Sequence, residues 1–321
     1  MILTVTINPL LERRLTYQNA SFKTGNRNGK LNLKAGGKGI NVSRQLNLLQ
    51  VQNTSLTFAG GMNGKLLKED LRKEQIKNSV IQTQNETREC SVIIDQASKK
   101  VASFFSENSR ATESEVKAFI SQMEKMIENC EMVVFSGSSP CKESDSIFPA
   151  GIETANKLGK ISLCDTYGNH LQDCIDASPT LLHNNIDEIE SSLDISLKSE
   201  SETFSFLDLL YSKGIKQVYI TNGDRDFYCS NFDFHYKVSL PKIEAIDSTG
   251  SGDAFVSGII YGWVNRQTFS EQVLFASSLG INNAQSFDVC NIALNNSGSF
   301  ISQIKIEPVG KKIKLIDDSP R

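Results

Sequence analysis

Short apolar segments alternate along this chain with longer segments that have helical periodicity. The apolar segments predict buried strands, because each one stops at small, polar or proline residues. They lie at 2–7, 56–59, 132–135, 161–164 and 217–220. Helical spacing of apolar side chains is found in 39–49, 114–129, 149–158 and 202–213. This alternation predicts an α/β fold with a mostly parallel central sheet and helices on both faces.

Two segments, 8–35 and 87–107, fit the alternation poorly. The second contains two apolar runs, 92–94 and 101–105, which flank a polar turn at 95–100 and so predict a pair of strands. We therefore expect both segments to form a small β-sheet, a lid, outside the central sheet. Since no repeat or long linker interrupts the chain, the lid is expected to belong to a single domain of residues 1–321.

Composition limits the classes of partner. The 321 residues carry a net charge of -3, whereas a protein that binds nucleic acid usually has a strongly basic face. No apolar run approaches the roughly 18 residues that span a membrane. The seven cysteines include no Cys-x-x-Cys pair, and the three histidines lack metal-ligand spacing. We therefore expect neither disulfides nor a structural zinc site, and a location in the reducing cytoplasm. These features are typical of a protein that acts on small molecules.

A run of small residues at 247–253 ends in Asp253, and apolar residues at helical spacing follow it. A buried helix is therefore expected to begin near Gly252. A glycine loop that opens a helix leaves backbone N–H groups unpaired, and with the helix dipole they form an anion site. A carboxylate at this place could take a proton from a hydroxyl during phosphoryl transfer. The same pattern also occurs where an acidic residue simply stabilises a helix N-terminus.

A second glycine cluster, 35–42, opens another predicted helix and includes Lys38 and Asn41. Alone it could be a flexible surface turn. Together the two clusters resemble those of the PfkB (ribokinase-like) family of carbohydrate kinases, and the resemblance extends from residue 4 to about residue 284. The segment 8–13 resembles the start of the 1-phosphofructokinase and tagatose-6-phosphate kinase branch. The resemblance implies a ribokinase-like three-layer sandwich with a β-lid over the sugar.

The resemblance also implies roles for single residues. Asp253 would be the general base of an ATP-dependent kinase. The backbone of Gly250, Ser251 and Gly252 would form the anion hole for the transferred phosphoryl group.

The implied cofactors are ATP and Mg²⁺, and their contacts come from several loops. Asn185 and Glu188 match a motif that organises Mg²⁺ through water, which suits a hard cation that prefers oxygen ligands. The residues implied in nucleotide binding are Asn185, Thr221, Gly223, Thr249 and Asn283, the last of these near the adenine.

On the substrate side the resemblance implies contacts from Glu12, Arg27, Gly37, Lys38, Asn41, Arg88 and Ser138. Each of the cations Arg27, Lys38 and Arg88 could by itself be a solvated surface charge. Taken together they indicate a phosphorylated sugar, because a neutral sugar needs no converging cations. The expected activity is the ATP-dependent phosphorylation of fructose 1-phosphate or tagatose 6-phosphate to the bisphosphate. The sequence does not rank these two acceptors.

Several positions depart from the family pattern. Glu12 replaces an aspartate, His183 stands where the branch has a lysine, and Cys90 and Asp226 replace an asparagine and a glycine. Two alternatives therefore stay open: a non-catalytic or regulatory protein that binds nucleotide or sugar phosphate, and a kinase for a neutral sugar or nucleoside. The intact 250–253 loop argues against the first alternative. Whether the chain forms a homodimer also stays open.

Overall fold

Strands and helices alternate through most of residues 1–21 and 23–309, which the computed structural model describes. In this part of the chain the strands are β1 (Ile2–Thr6), β2 (Leu10–Tyr17), β3 (Lys30–Gly36), β4 (Asn53–Gly60), β5 (Asn78–Thr83), β6 (Arg88–Asp95), β7 (Lys100–Phe105), β8 (Met132–Ser136), β9 (Ile161–Asp165), β10 (Leu181–Asn185), β11 (Gln217–Thr221), β12 (Phe227–Asn231), β13 (Phe234–Ser239) and β14 (Lys305–Val309). The α-helices are α1 (Lys38–Leu48), α2 (Gly61–Lys73), α3 (Glu113–Glu128), α4 (Ile147–Lys157), α5 (Leu171–Asp176), α6 (Ile186–Leu193), α7 (Glu200–Ser212), α8 (Ser251–Val264) and α9 (Phe269–Ala284). The predicted domain of residues 1–321 also includes 310–321, which lie outside the described residues.

The larger sheet has the strand order β14-β13-β12-β11-β10-β9-β8-β1-β4-β5. From β11 to β5 all neighbouring strands are parallel. The strands β12, β13 and β14 extend one edge in antiparallel pairs. The prediction of a mostly parallel central sheet is therefore confirmed.

Helices cover both faces of this sheet because its central strands are apolar on both sides. In β8, Val133 and Phe135 pack into one core together with α3, α4, α5 and α7. Met132 and Val134, which alternate with them, pack into a second core together with α1, α8 and α9. The period of two along a strand sends successive side chains to opposite faces. The expected three-layer architecture is confirmed.

A separate four-stranded sheet has the order β3-β2-β6-β7. Its central strands β2 and β6 are parallel, with Leu10 opposite Arg88, and the outer strands β3 and β7 are antiparallel to their neighbours. These strands lie within the predicted segments 8–35 and 87–107, apart from Gly36, so the expected small sheet is confirmed. We call this sheet the lid.

The carboxyl ends of the parallel strands meet at one edge of the central sheet. In open α/β sheets the loops at this edge form the ligand-binding crevice. Here β1, β8, β9, β10 and β11 end at this edge, and the lid begins directly after β1. In the described residues no helix combines the length and the hydrophobicity needed to cross a membrane.

Candidate active site

Asp253 lies in the first turn of α8 and is 3% exposed. Helices α1 and α8 pack against each other, and this packing brings Asn41, in the first turn of α1, to Asp253. The side-chain nitrogen of Asn41 donates a hydrogen bond to Oδ2 of Asp253 at 2.8 Å. The two glycine clusters that the sequence singled out therefore meet in one buried site.

The environment of Asp253 is suited to a proton acceptor. Burial raises the pKa of Asp253 to about 7, and the nearby carboxylates of Asp165 and Glu188 add to the rise, while Lys38 and the hydrogen bond from Asn41 oppose it. A general base works best when its pKa lies near the operating pH. Such shifts are also a mark of functional sites in general.

The loop before Asp253 requires glycine at position 250. Gly250 has a φ of 77°, and a Cβ atom there would lie 2.2 Å from Cγ1 of Val289. The N–H of Ser251 donates to the carbonyl of Ser248 at 3.1 Å. Among the described contacts, the N–H groups of Gly250 and Gly252 make no hydrogen bond. Two of the three predicted anion-hole donors are thus free, and both lie at the positive end of α8.

Gly37, immediately before α1, is required by the backbone conformation in the same way as Gly250 before α8. Its φ is 124°, and a Cβ atom there would lie 2.8 Å from Cγ2 of Thr6. The residue that follows, Lys38, forms ion pairs with Asp165 at 2.8 Å and Glu188 at 3.3 Å. Burial lowers the pKa of Lys38, but the surrounding carboxylates outweigh burial and raise the pKa overall. Lys38 therefore stays protonated and positively charged between these carboxylates.

Asp165, at the end of β9, was not identified from the sequence. Its carboxylate is fully buried and accepts hydrogen bonds from Lys38 Nζ, from Ser136 Oγ at 2.6 Å and from His183 Nδ1 at 2.9 Å. Burial alone would raise the pKa of Asp165, but Lys38 and His183 lower it below the ordinary value. An aspartate directly after a buried strand was the signal available in the sequence.

Asn185 and Glu188 have a structural role that the sequence did not predict. The Asn185 side chain accepts a hydrogen bond from the Glu188 N–H, and the Glu188 carboxylate accepts one from the Asn185 N–H, so the two form the capping box of α6. In residues 1–21 and 23–309 no group of three acidic, histidine or cysteine side chains is arranged to hold a metal ion. Mg²⁺ would therefore need water and phosphate oxygens as further ligands.

The charges at this place fit such an ion. Asp165, Glu188 and Asp253 all interact with the one cation Lys38, so the cluster has an excess of negative charge. A dication with oxygen ligands would offset that excess.

The predicted nucleotide turn follows β11. Thr221 ends that strand, and its Oγ1 lies 3.3 Å from Nε2 of His183. Gly223 lies in the exposed turn that follows and has a φ of 60°. The unexpected Asp226 forms an ion pair with Lys237 at 3.4 Å. The turn therefore lies beside the Asp165 cluster, and the charge of Asp226 is partly offset.

Asn283 is 1% exposed, and its amide group joins two segments. Its side-chain nitrogen donates to the carbonyl of Thr249 at 2.8 Å and to Oγ of Ser251 at 3.2 Å. Its side-chain oxygen accepts from the N–H of Cys290 at 2.7 Å. Asn283 thus contacts the 247–253 loop itself, whereas Thr249 is exposed at the surface of that loop.

Glu12 lies on β2 and is almost completely buried. Arg14, two residues along the same strand, donates from Nη1 to Oε2 of Glu12 at 2.7 Å and from Nη2 to the carbonyl of Phe287. Arg14 was not among the predicted residues. It fixes the carboxylate of Glu12 and links the lid to the segment after α9.

Arg88 lies at the start of β6, next to the end of β1. Its guanidinium donates to the carbonyl of Asn8 and to Oδ1 of Asn108, both at 3.1 Å. The side chain of Asn8 in turn donates to Oγ of Ser138 at 3.0 Å. Hydrogen bonds to Asn8 thus connect Arg88 with Ser138, two residues that the sequence predicts in the substrate site.

The charge of Arg88 has no carboxylate partner in the described residues, and its buried Nε atom has no hydrogen-bond partner there. Burial lowers the pKa of Arg88. Arg88 and Asn108 also line an open cavity of about 620 Å³, together with Arg110 and the carboxylates of Glu86, Glu89 and Glu107. An anion that approached would have room there, and the favourable charge would come from the Arg88 guanidinium itself rather than from the cavity as a whole.

The three predicted phosphate-binding cations have different partners. Arg88 lies with Ser138, and Lys38 lies with the carboxylates of Asp165 and Glu188. Arg27 lies on the exposed loop between β2 and β3. Of the three cations, Arg88 has the surroundings expected of a phosphate ligand.

Comparisons with known proteins agree with this architecture. A family model for pfkB family carbohydrate kinases matches residues 10–294. A solved structure described as a possible 1-phosphofructokinase from Thermotoga maritima is similar in fold, with 23% identity and a TM-score of 0.88 over 96% of this chain and 99% of that chain.

Two structures of phosphofructokinase-2 from Escherichia coli are also similar in fold, each with 20% identity over 94% of this chain and 99% of that chain. The tetrameric inhibited form has a TM-score of 0.83, and the complex with fructose-6-phosphate has a TM-score of 0.78.

Proposed function

The chain belongs to the pfkB family of carbohydrate kinases, and we propose that it transfers the γ-phosphoryl group of ATP to a hydroxyl of a ketohexose phosphate. The proposed acceptors are fructose 1-phosphate and tagatose 6-phosphate, and the product is the bisphosphate. Fructose 6-phosphate is a third candidate, because phosphofructokinase-2 has been solved in complex with it.

The observation that carries the choice of a phosphorylated acceptor is the environment of Arg88. A partly buried guanidinium usually has a carboxylate partner, because burial removes water from its charge and the partner compensates for that loss. The side chains of Asn8, Asn108 and Ser138 around it are neutral hydrogen-bonding groups. A phosphate dianion would supply the missing charge and could accept two parallel hydrogen bonds from Arg88.

The proposed chemistry needs one base and one anion site. The acceptor hydroxyl attacks the γ-phosphorus, the new O–P bond forms as the bond to the β–γ bridging oxygen breaks, and ADP leaves with the electron pair. The hydroxyl proton passes to Asp253. The free N–H groups of Gly250 and Gly252, at the positive end of α8, would hold the oxygens of the phosphoryl group in transit.

Lys38 would act between the base and the nucleotide. Its ammonium is held by Asp165 and Glu188 and also interacts with Asp253. We therefore assign Lys38 to the transferred phosphoryl group rather than to the phosphate already present on the sugar. Bound Mg²⁺ would neutralise charge at the β- and γ-phosphates. Asn185, Glu188 and Asp165 would hold it through water molecules.

The lid would cover the sugar. Its residue Glu12, held by Arg14, replaces the aspartate that binds sugar hydroxyls in the family, and it would accept hydrogen bonds from those hydroxyls. Exclusion of water by a lid limits the transfer of the phosphoryl group to water.

A coupled assay for ADP tests the proposal, with fructose 1-phosphate, tagatose 6-phosphate, fructose 6-phosphate, unphosphorylated fructose and a nucleoside as acceptors. We expect kcat/KM for at least one ketohexose phosphate to exceed that for fructose by about 100-fold or more, as expected for a site built to pair a charged group. If no acceptor supports ADP formation although calorimetry shows that ATP binds, the non-catalytic alternative is correct.

A kinase for a neutral sugar or nucleoside is the second candidate. The observation in its favour is that Lys38 is already paired with Asp165 and Glu188 and that Arg27 lies on an exposed loop. Faster turnover of fructose or of the nucleoside than of every sugar phosphate in the same assay would establish it.

A further inference from the structure

Arg44 is a buried arginine, 5% exposed, one helical turn beyond Asn41 on α1. All three nitrogen atoms of its guanidinium donate hydrogen bonds. Nε donates to both carboxylate oxygens of Glu74, at 2.9 and 2.7 Å. Nη2 donates to the carbonyl of Ala35, and Nη1 donates to Oδ1 of Asn41 at 2.8 Å. Glu74, at the end of α2, and the last residues of β3 thus hold Arg44 in one position.

The contact with Arg44 determines which way the amide of Asn41 points. A guanidinium only donates hydrogen bonds, so the amide oxygen must face Arg44. The amide nitrogen must then face Asp253, where it donates to Oδ2 at 2.8 Å. If the amide rotated by half a turn, its oxygen would face the carboxylate, and that contact is favourable only when Asp253 is protonated.

We propose that Arg44 is a positioning residue for the transfer reaction: it locks the Asn41 amide so that Oδ2 of Asp253 is occupied and Oδ1 is left to receive the substrate proton. The inference deepens the proposed function and rests on it for its effect on turnover. Arg44 itself touches neither Asp253 nor the reacting atoms, and it acts through Asn41.

Other groups also face Asp253, and they must be separated from the effect of Arg44. They are Lys38 on α1, Asp165 at the end of β9, Glu188 on α6, Cys290 after α9 and His183 of β10, which lies against Gly252. None of these groups hydrogen-bonds to the side chain of Arg44 in the described residues, although Cys290 interacts electrostatically with both Arg44 and Asp253. The hydrogen-bonded route from Arg44 to Asp253 therefore runs through the Asn41 amide, and the Asn41→Ala background separates it from an effect of charge.

The expected consequence is a change in the titration of the base. The hydrogen bond from Asn41 stabilises the ionised carboxylate. Without Arg44 the amide populates both orientations, the ionised form loses support, and protonation of Asp253 begins at higher pH. We expect Arg44→Met to move the acid limb of kcat/KM upward by about one pH unit. We also expect it to lower kcat/KM at neutral pH by about 10–100-fold.

The test compares Arg44→Met and Arg44→Lys with wild type, each also in an Asn41→Ala background. One readout is the pH profile of kcat/KM at saturating MgATP. The other is the titration of the Asp253 carboxyl carbon by ¹³C NMR of aspartate-labelled protein, assigned with Asp253→Asn.

Arg44→Lys keeps the charge but cannot reach Glu74, Ala35 and Asn41 together, so it should shift both readouts as Arg44→Met does. Arg72→Lys, on the exposed end of α2, is the matched control and should shift neither.

The background variant gives the decisive comparison. With Asn41→Ala already present, replacing Arg44 should move neither the pH profile nor the carboxyl titration any further. An equal shift in both backgrounds would show a direct effect of charge and overturn the inference. So would an unchanged titration in a folded Arg44→Lys protein.

Two further outcomes are separable. If Arg44→Met does not fold, Arg44→Lys and Glu74→Gln carry the test, because Glu74→Gln weakens the contact that holds Arg44 and should shift the titration in the same direction. If wild type transfers phosphate to no acceptor, the proposed function fails. The NMR titration then still decides whether Arg44 controls Asp253 through Asn41.

Discussion

The side chain of Asn283 donates a hydrogen bond to the carbonyl of Thr249 at 2.8 Å, across the turn that precedes α8. The same amide accepts from the N–H of Cys290 at 2.7 Å and donates to Ser251. With all its hydrogen-bonding groups used inside the protein, Asn283 holds the loop of the proposed anion site. A direct contact with adenine, as the family resemblance implies, remains a prediction that a nucleotide series can test.

We expect Asn283→Ala to lower kcat by about 10–100-fold, because the loop donors lose their fixed position. The free energy of unfolding should fall by about 1–3 kcal/mol, since buried groups lose their partner. The ratio of kcat/KM for ATP to that for GTP should stay unchanged, and steady-state kinetics with both donors measures it. Asn282→Ala, the partly exposed neighbour, is the control. A large change in the donor ratio would instead support the adenine contact.

The rate should depend on the ionisation of Asp253. Because burial raises the pKa of Asp253 to about 7, the base is ionised above that pH and protonated below it. We expect kcat/KM to fall about tenfold per pH unit below roughly pH 7. Asp253→Asn should lower kcat by about 10²–10⁴-fold while calorimetry shows nearly unchanged ATP affinity. A variant that kept most of its turnover would exclude Asp253 as the base.

The same carboxylate should lower stability at alkaline pH. The pKa of Asp253 is higher in the folded protein than the ordinary value of 3.8, so between about pH 4 and 7 the folded state binds more protons than the unfolded state. The stabilising contribution of this group to the free energy of unfolding is therefore fully present below pH 4 and is lost as the pH rises through about 7. We expect Asp253→Asn to be more stable than wild type near pH 8, by on the order of a few kcal/mol.

Denaturant unfolding at several pH values measures this difference. The gain from Asp253→Asn should shrink as the pH is lowered towards about 5, where the wild-type carboxyl is largely protonated. A gain that is independent of pH would show that packing, and not ionisation, is responsible.

Arg88 should decide the affinity for the phosphorylated acceptor. We expect Arg88→Ala to raise KM for the sugar phosphate by about 10–100-fold with a smaller effect on kcat, because the lost contact acts on ground state and transition state alike. Arg88→Lys should recover only part of the affinity, since an ammonium cannot make the two parallel contacts of a guanidinium.

Two comparisons make this test specific. Turnover of unphosphorylated fructose should be unaffected by Arg88→Ala, and Arg72→Ala at an exposed site should leave both acceptors unchanged. Arg27→Ala measures whether the loop between β2 and β3 contributes to the phosphate site as the sequence predicts. If Arg88→Ala leaves KM for every sugar phosphate as it was, the phosphate has to bind elsewhere.

Glu188 should affect the requirement for Mg²⁺ without affecting the fold. Glu188→Gln keeps a side chain that can complete the capping box with Asn185 and loses only the ion pair with Lys38, so the free energy of unfolding should change by no more than about 1 kcal/mol. The lost charge should raise the Mg²⁺ concentration needed for half-maximal rate by about tenfold. Magnesium titrations at fixed ATP measure this. A normal requirement for Mg²⁺ would remove Glu188 from the proposed metal environment.

The helix starts and the lid were predictable because they depend on local patterns. The glycine clusters before Lys38 and Asp253 do begin helices α1 and α8, and the segments that broke the alternation do form a separate sheet. These features follow from backbone conformation and from hydrophobic periodicity, which a sequence contains directly.

Asp165 and Arg14 could not be recognised in the same way. The importance of Asp165 comes from Lys38, Ser136 and His183, which approach it from three different strands and helices. Arg14 gains its linking role through its second contact, the hydrogen bond to the carbonyl of Phe287 far along the chain. Contacts between such distant segments depend on how the layers pack, and the local patterns of one sequence do not reveal them.

The parallel pairing of β2 with β6 has a consequence for folding. Between these two strands the chain forms first β3, which pairs with β2 in the lid, and then α1, β4, α2 and β5, which belong to the main body of the protein. Pairing of strands so distant in the chain requires closure of a long loop, which is favourable only after the intervening elements have folded. The lid should therefore gain its protection from hydrogen exchange after the central sheet does, and a newly made chain should be able to bind nucleotide before it can enclose a sugar.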